Sequence, residues 1–500
     1  MMKRNFLTVL ICIVMLCTTM FSAVSCNKKQ DPDATGNSDT NASTQNGDVI
    51  SDEEFYRPEE KTYDRTLTFM CVSPSFYGVG EGYELGAGSV VDDAMFKRDK
   101  MMYDKFGVEV IIKSGTEAEF SQDATGGAYV CDFFLGSAQA NFRLLQQNLF
   151  VDFAGLKNLN LEAPYWDQNI QTEYAVADRI YLLEGDYTYY DEYRTYVMLY
   201  NDQLYTNLGY YETHGTPYSM VENRTWTFDK MLDMSKEMYK DLNDNGKRDE
   251  FDQYGIIGAM NMQWCCYLGA GLKTVETVNG ELVLNIKSDG YYNQVYDVLD
   301  DVLTKMTKNA DICYPNFLQD LSTDQWTAAS NIFENNRALF RGTTLSAASR
   351  LGNMASRFGL LPMPAYTEGT DGYYGWLPGD THTPLSMAKV VTDKEETAEI
   401  LDTYCYYSRY GADSLYEEYF ESFRISKFCE TPDDLAMMNL VISNKTYDLD
   451  FAASITDFAD VVWRLSMDQD ISTLSSTLSE KRNSASTAMD EFILKIMELD

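Results

Sequence analysis

The chain has 500 residues, more than the roughly 250–300 at which a single hydrophobic core stops growing, so two domains are expected. Its net charge of −37, with no basic stripe, repels phosphate backbones; this excludes nucleic acid as a partner and disfavours a multiply anionic ligand. Only two histidines are present, His214 and His382, far apart in sequence and outside any HExxH, so a catalytic zinc site has no support.

The opening stretch, MMKRNFLTVLICIVMLCTTMFSAVSC, starts basic (Lys3, Arg4), runs apolar from Phe6 to Phe21 and ends in small residues before Cys26. That run is shorter than the ~20 residues a spanning helix needs, so residues 1–25 read as an export signal. Ala23-Val24-Ser25-Cys26 resembles the lipobox of bacterial lipoproteins, which makes Cys26 the lipidated first residue of the mature chain. Residues 26–63 are rich in Asp, Ser, Thr, Asn and Gly with almost no large apolar residue before Phe55, the composition of a flexible tether. The cysteines after Cys26 are odd in number and irregularly spaced, with Cys265 and Cys266 adjacent; they read as mostly buried thiols.

RTLTFMCVS (65–73) alternates like a strand, residues 92–106 form a Met/Phe-striped helix, and GVEVIIK is a second strand. CDFFLG followed by a helical run from Ala138 reads as a buried strand feeding a helix, and this alternation of types implies a parallel sheet covered on both faces. RTYVMLYN is strand-like, TWTFDKMLDMSKEMYK is a helix capped by Thr227, and YGIIGAM is a further strand. After Phe333 come a strand, a helix and a strand stopped by Pro362 and Pro364; HTPLSMAKVV is strand-like, EETAEILDTYCYYSRY helical, and the last hundred or so residues mostly helical.

Residues 241–252, DLNDNGKRDEFD, put oxygen-bearing side chains at loop positions 1, 3, 5, 9 and 12 (Asp241, Asn243, Asn245, Asp249, Asp252). Gly246 takes position 6, and Lys247 takes position 7, which coordinates through its backbone carbonyl. Such spacing wraps a hard cation, structural Ca2+ being the candidate; the alternative is an acidic, Asn/Gly-rich surface turn. Asp252 stands where Glu is usual and reaches an ion less easily with both oxygens. No open coordination position is evident, so no catalytic cofactor is expected.

In this order, several stretches resemble the extracellular solute-binding proteins (family 1) of bacterial ABC importers, the group that includes maltose-binding protein. CDFFLGSAQANFRLLQQNLFVDF resembles the strand and helix that begin the pocket in the first lobe, and APYWDQNIQTEYAVADRIYLLEGDYTYYDEYRTYVMLYNDQLYTNLG the segment that leads through a crossing strand into a YNxxL turn. RTWTFDKMLDMSKEMYKDLNDNGKRDEFDQYGI resembles the family's TW-helix-DxNxDGxxDxYG stretch, the most specific of the set; FENNRALFRG and FGLLPMPAY resemble its later strand pair. The resemblance covers nearly all of residues 65–500 and implies an α/β fold of the two-lobed periplasmic-binding-protein type 2 kind, each lobe an open mixed sheet flanked by helices. By the same analogy lobe 1 is 65–193 plus 383–427, lobe 2 is 200–374 plus 433–500, and the hinge crossings are 194–199, 375–382 and 428–432.

What the resemblance implies for function is a monomeric, non-enzymatic binder, exported and lipid-anchored on the outer face of the cell membrane. It would capture a carbohydrate, an oligosaccharide, between two lobes and deliver it to an ABC permease. The 36 Tyr and 6 Trp supply faces that stack on sugar C–H surfaces, and the many Asp and Asn supply partners for hydroxyls. Weighted by the resemblance, the candidate ligand contacts are Gly136, Ser137 and Gln139 at a strand end and helix start, where backbone N–H groups are free. To these are added Asp186, Tyr189 and Arg194 on the approach to the first crossing, Arg194 having a hinge salt bridge as its alternative. Gln263 and Trp264 follow a second-lobe strand, Thr344 ends another, and Trp376 and Asp380 sit at the second crossing. Trp226, at a helix start, reads as packing. Two other classes stay open: an exported glycoside hydrolase, which needs two carboxylates about 5–10 Å apart, and a tethered cell-surface interaction lipoprotein, which needs no cleft.

Overall fold

The structure, a computed structural model, describes residues 44–45, 48–49, 51–72, 90–259, 261–351, 354–370, 372–411, 413–419 and 428–499. The chain divides into Met1–Ser51 and Asp52–Asp500. In the first unit Thr44–Gln45 pairs antiparallel with Asp48–Val49. The expected export signal, Cys26 and most of the tether lie outside the described residues, as does part of the expected 383–427 segment. Among the described residues no helix is long and apolar enough to cross a membrane.

Within Asp52–Asp500 the strands that position the site are, in chain order, β1 (Arg65–Cys71), β2 (Val108–Ser114), β3 (Phe133–Leu135), β4 (Tyr196–Asn201), β5 (Tyr254–Gly258) and β6 (Ile312–Cys313). They continue as β7 (Ala338–Thr344), β8 (Phe358–Leu361), β9 (Gly375–Leu377), β10 (Leu385–Met387) and β11 (Lys445–Tyr447). One sheet has the order β10-β3-β1-β2, with β1 parallel to β2 and β3 and β10 antiparallel to β3. A second has the order β6-β5-β7-β4-β8, with β5 parallel to β6 and β7 and β4 antiparallel to β7 and β8. Both sheets are therefore mixed and not purely parallel. β4 and β5 are buried at every residue, as strands covered on both faces must be, whereas edge strand β2 leaves Ile111 exposed.

The helices that matter for the site are α1 (Val90–Phe106), α2 (Ala138–Leu145), α3 (Phe228–Ser235), α4 (Asn261–Leu268), α5 (Asp289–Met306) and α6 (Lys394–Arg409). The C-terminal stretch adds α7 (Pro432–Ser443), α8 (Leu449–Ala453), α9 (Phe458–Asp468) and α10 (Leu474–Met497). In the first sheet's core Phe69 lies 5.4 Å from Phe133 and 5.7 Å from Tyr404 of α6, and the Arg98 guanidinium of α1 sits 3.9 Å above the Tyr404 ring. In the second, Trp226 packs 5.2 Å from Phe340 and donates its indole N–H to the Pro362 carbonyl at 2.9 Å, the packing role its position implied. Cys71, Cys131, Cys265, Cys266, Cys313 and Cys405 are buried, in keeping with the sequence reading.

Two expectations about element ends change. The helix read as continuing to Lys240 stops at Ser235, because the Asp311 carboxylate captures the backbone N–H groups of Glu237 (3.0 Å) and Tyr239 (2.9 Å) and pulls the chain off the helix. Residues 52–63, expected to end the tether, lie on the folded body: the Tyr63 hydroxyl and Lys61 ammonium reach Glu399 of α6 at 3.1 and 2.7 Å, and Tyr406 donates to the Glu53 carbonyl at 2.8 Å.

The chain around residues 375–385 is tied by a short parallel ladder and a buried polar network. β9 pairs with β11, placing Trp376 opposite Thr446. Just after it, buried His382 meets Glu184 at 2.5 Å through Nδ1 and Tyr174 at 3.2 Å through Nε2. The Tyr447 hydroxyl donates to Glu184 (2.8 Å) and to Asp167 (3.0 Å), and Lys445 pairs with Asp167 at 2.5 Å. Leu385 also bridges antiparallel to Leu183, so this stretch cannot shift without moving the segment before β4.

Candidate functional site

β3 ends at Leu135 and α2 begins at Ala138, a turn made by Gly136 and Ser137. Ser137 caps the helix by accepting from the Ala140 N–H at 3.2 Å. A Cβ on Gly136 would meet the Phe134 ring at 2.5 Å, so the strand end tolerates no side chain there. Asn141 clamps the turn by donating to the carbonyls of Gly136 (2.9 Å), Ser137 (3.1 Å) and Pro384 (3.3 Å). The Gln139 N–H then donates to the Gly379 carbonyl at 3.0 Å, and its side-chain amide to the Phe451 carbonyl at 3.3 Å. One helix start is thereby joined to the stretch after β9 and to α8.

At that junction lies a cavity of about 270 Å³, lined by Gln139, Asn261, Trp264, Trp376, Asp380, Phe451, Ala459, Asp460, Val462 and Trp463. Its floor is aromatic. Trp376 is 2% exposed, with its ring 5.4 Å from Phe451 and 5.8 Å from Tyr196 of β4. Its indole N–H is buried and has no hydrogen-bond partner among the described residues. A buried donor left unsatisfied is unfavourable. Trp264 is held differently: its N–H donates to Asp448 at 2.7 Å and its ring lies 4.5 Å from Tyr267. Asp448 is fully desolvated, which pushes its carboxyl up to about 6, with neighbouring Asp450 adding to the rise.

Asp380 and Asp460 bring carboxylates to the same cavity. Protein atoms crowding around Asp380 raise its carboxyl, against the opposing pull of His382 and Arg194, even though the side chain keeps exposed surface. Desolvation raises Asp460 as well, helped by Asp457. The arrangement offers what a small hydroxylated ring requires: an aromatic floor, carboxylate acceptors and the amides of Gln139 and Asn261.

No protein-family model matches the sequence, and no curated protein matches it. Solved structures do. The chain is similar to the ABC substrate-binding protein Lmo0181 from Listeria monocytogenes in complex with cycloalternan, at 11% identity and a TM-score of 0.56, over 85% of this chain and 99% of that one. It is similar to a cyclo/maltodextrin-binding protein complexed with maltotetraose, at 12% identity and a TM-score of 0.54, over 86% and 97% of the two chains. It is also similar to the maltose/maltodextrin-binding domain MalE from Bdellovibrio bacteriovorus bound to maltotriose, at 11% identity and a TM-score of 0.51, over 85% and 99%. The chain has the two-lobed periplasmic-binding-protein fold.

Among the residues singled out from sequence, Gln139, Trp264, Trp376 and Asp380 line one cavity of this binding-protein fold. The others lie elsewhere. Gly136 and Ser137 build the turn behind Gln139. Asp186 pairs with Arg409 at 2.8 Å, and the Tyr189 ring lies 4.5 Å from that of Tyr419. Arg194 and Thr344 share a buried cluster beside the cavity, in which Ser346 Oγ lies 3.5 Å from Arg194 and 2.8 Å from Thr344. Gln263 turns away, is wholly buried and donates to Tyr314 at 3.0 Å. Asn261, Phe451, Asp460 and Trp463 were missed. A signal for Trp463 existed: in FADVVWRLSMD it shares a helix face with Asp460 and Met467, away from buried Val461, Val462 and Leu465.

The 241–252 loop is separate from this cavity. Gly246 takes φ +71°, and the Asp241 carboxylate accepts from the N–H groups of Gly246 (2.8 Å) and Asn245 (3.2 Å). Asn243 and Asn245 turn their amides to Asp249 at 3.0 and 2.6 Å, and Lys247 donates its N–H to Asn245 at 2.7 Å. Burial alone would raise the Asp249 carboxyl; the bonds from Asn243, Phe251 N–H and Asn245 outweigh it and hold it low. Asp252 is the misfit for a cation. Fully buried, it already accepts from Leu242 (3.3 Å), Asp249 (3.2 Å), Tyr239 (3.3 Å) and Tyr254 (3.4 Å), so the loop closes on hydrogen bonds of its own. Among the described residues no three acidic, His or Cys side chains converge as a metal site.

Proposed function

We propose that this protein is the lipid-anchored, extracellular solute-binding component of an ABC importer, which captures a carbohydrate between its lobes and hands it unaltered to a membrane permease. The observation that supports this most is the cavity itself. It combines Gln139 at the α2 start, Trp376 and Asp380 at the second crossing, and Trp264, Asp460 and Trp463 from α4 and α9. A ligand touching all of these would stabilise the closed arrangement over the open one, and only such differential contact shifts that balance. The structural neighbours, solved with cycloalternan, maltotriose and maltotetraose, support a sugar as the class of guest. At about 270 Å³ the cavity lies near the lower end of the roughly 300–1,000 Å³ typical of ligand pockets, which fits one or two sugar rings better than a long chain. Cys26 would carry the lipid, and the Asp/Ser-rich stretch after it would hold the domain off the membrane.

A second reading, hydrolysis of a glycosidic bond, draws on the Asp380 and Asp460 pair. Such catalysis uses carboxylates pushed in opposite directions, one kept protonated and one ionised. Here desolvation raises both, which favours binding over cleavage. The deciding experiment is a thermal-shift screen of mono- to tetrasaccharides, followed by chromatography of the recovered ligand. A sugar that raises Tm and returns intact supports the importer reading. A cleaved sugar replaces it with the hydrolase, and no shift from any saccharide ends both.

A further inference from the structure

A second cavity, of about 300 Å³, lies beside edge strand β6 and shares no residue with the one at Trp376. Phe317 and Leu318 give it an apolar wall, and Arg248 and Lys308 bring two cations to it. No Asp or Glu lines it, although the chain carries 77 of them against 40 Lys and Arg. The 241–252 loop delivers the first of these cations. Closed on its own hydrogen bonds, it places the half-buried Arg248 so that the guanidinium donates to the carbonyls of Ala310 (2.9 Å) and Ile312 (2.7 Å). The same guanidinium lies 4.8 and 5.1 Å from the ring centres of Tyr239 and Tyr254, and the Arg248 carbonyl accepts from the Gln319 N–H at 2.9 Å. These neutral partners fix the group and engage two of its five donors, but leave its charge in place. Lys308 is fixed at its backbone, where the N–H donates to the Gln469 side chain at 2.8 Å, while its side chain stays exposed. Neither cation forms an ion pair with a described residue. Asp252 is already supplied by the hydroxyls of Tyr239 and Tyr254, and Asp470, which feels Lys308, accepts from the Ser472 N–H at 2.9 Å.

We infer that this cavity binds a small organic acid, its carboxylate held by Arg248 and Lys308 and its carbon body against Phe317 and Leu318. A carboxylate matches the fork of a guanidinium, and the apolar wall rewards a body that a bare inorganic anion lacks. A single negative charge also suits a chain whose net −37 disfavours a multiply anionic guest. The test is ligand-observed NMR titration of the purified protein with benzoate, hexanoate, neutral benzamide and inorganic phosphate. Both acids are expected to bind about tenfold more tightly than benzamide, with the ratio shrinking as salt is raised, and phosphate more weakly than either acid. In Lys308→Gln, a change at an exposed position that keeps the backbone bond to Gln469, the ratio of benzoate to benzamide falls toward one. Equal affinity of the wild-type protein for benzoate and benzamide overturns the inference. A preference that survives in Lys308→Gln also overturns it, since the carboxylate is then held elsewhere. Phosphate binding as tightly as the acids overturns the role of the apolar wall, and binding of none of the four overturns the site outright. All of these outcomes leave the carbohydrate reading standing, because the saccharide screen reads a cavity with no residue in common.

Discussion

Replacing Trp376 by Phe separates the fold from the function, because the buried indole N–H burdens the fold while the ring forms part of the cavity floor. In the free protein this donor is 98% buried and unsatisfied, a state that is unfavourable by about 1–3 kcal/mol. Phe removes the donor but also part of a ring packed against Tyr196 and Phe451, a loss of about 1–2 kcal/mol. The two nearly cancel, so Tm should stay within about 2 °C of wild type. With ligand bound, the variant offers the guest a smaller aromatic face, a loss of about 1 kcal/mol or roughly fivefold in Kd. Differential scanning fluorimetry and calorimetric titration, with whichever sugar gives the largest shift, read both quantities. An unchanged Kd in Trp376→Phe would refute the placing of this ring in the floor that a guest meets. A drop in Tm of several degrees would show that the donor was never a burden.

Asp311→Ala frees the two N–H groups that peel the chain off α3 and should lower the urea-derived stability by about 2 kcal/mol while leaving sugar affinity intact. Arg357→Met breaks a two-pronged contact to buried Asp434 (2.7 and 2.9 Å) and should destabilise by about 3 kcal/mol in the same assay. Calcium titration should leave Tm flat, because Asp252 is saturated by protein donors; a rise that EDTA reverses would place an ion in the 241–252 loop. Asp448 gives a pH signature: its carboxyl is raised from 3.8 to about 6 by desolvation, so the folded state takes up the proton first. Its contribution to stability is then fullest below about pH 4 and declines as pH rises through 6, and the urea midpoint measured across that window should fall more steeply in wild type than in Asp448→Asn.

How far the sequence carried depended on whether a signal was local. β4 and β5 were legible because an unbroken apolar run between turn residues suits only a strand buried on both faces. Thr227 announced the start of α3 as an N-cap, and the structure shows it accepting from Lys230 at 3.2 Å. The end of that helix was illegible, since Met238 and Tyr239 continue the pattern and the carboxylate that interrupts it comes from Asp311, far along the chain. The site divides in the same way. Trp376 and Asp380 stand at a junction that motif order marks, whereas Phe451 and Asp460 sit on C-terminal helices whose composition carries no mark of a ligand. Gln263 failed for a simpler reason: it adjoins Trp264 on α4, and neighbouring residues on a helix do not share a face.

The cavity gathers residues from Gln139 to Trp463, and β11 completes the ladder that steadies Trp376. Assembly of the pocket is therefore among the last events in the life of the nascent polypeptide. A chain cut after Ser443 keeps every strand of both large sheets yet lacks Phe451, Asp460 and Trp463, so it can acquire much of its secondary structure without the pocket. Because such distant segments meet slowly, the pocket walls close only after the sheets behind them have formed.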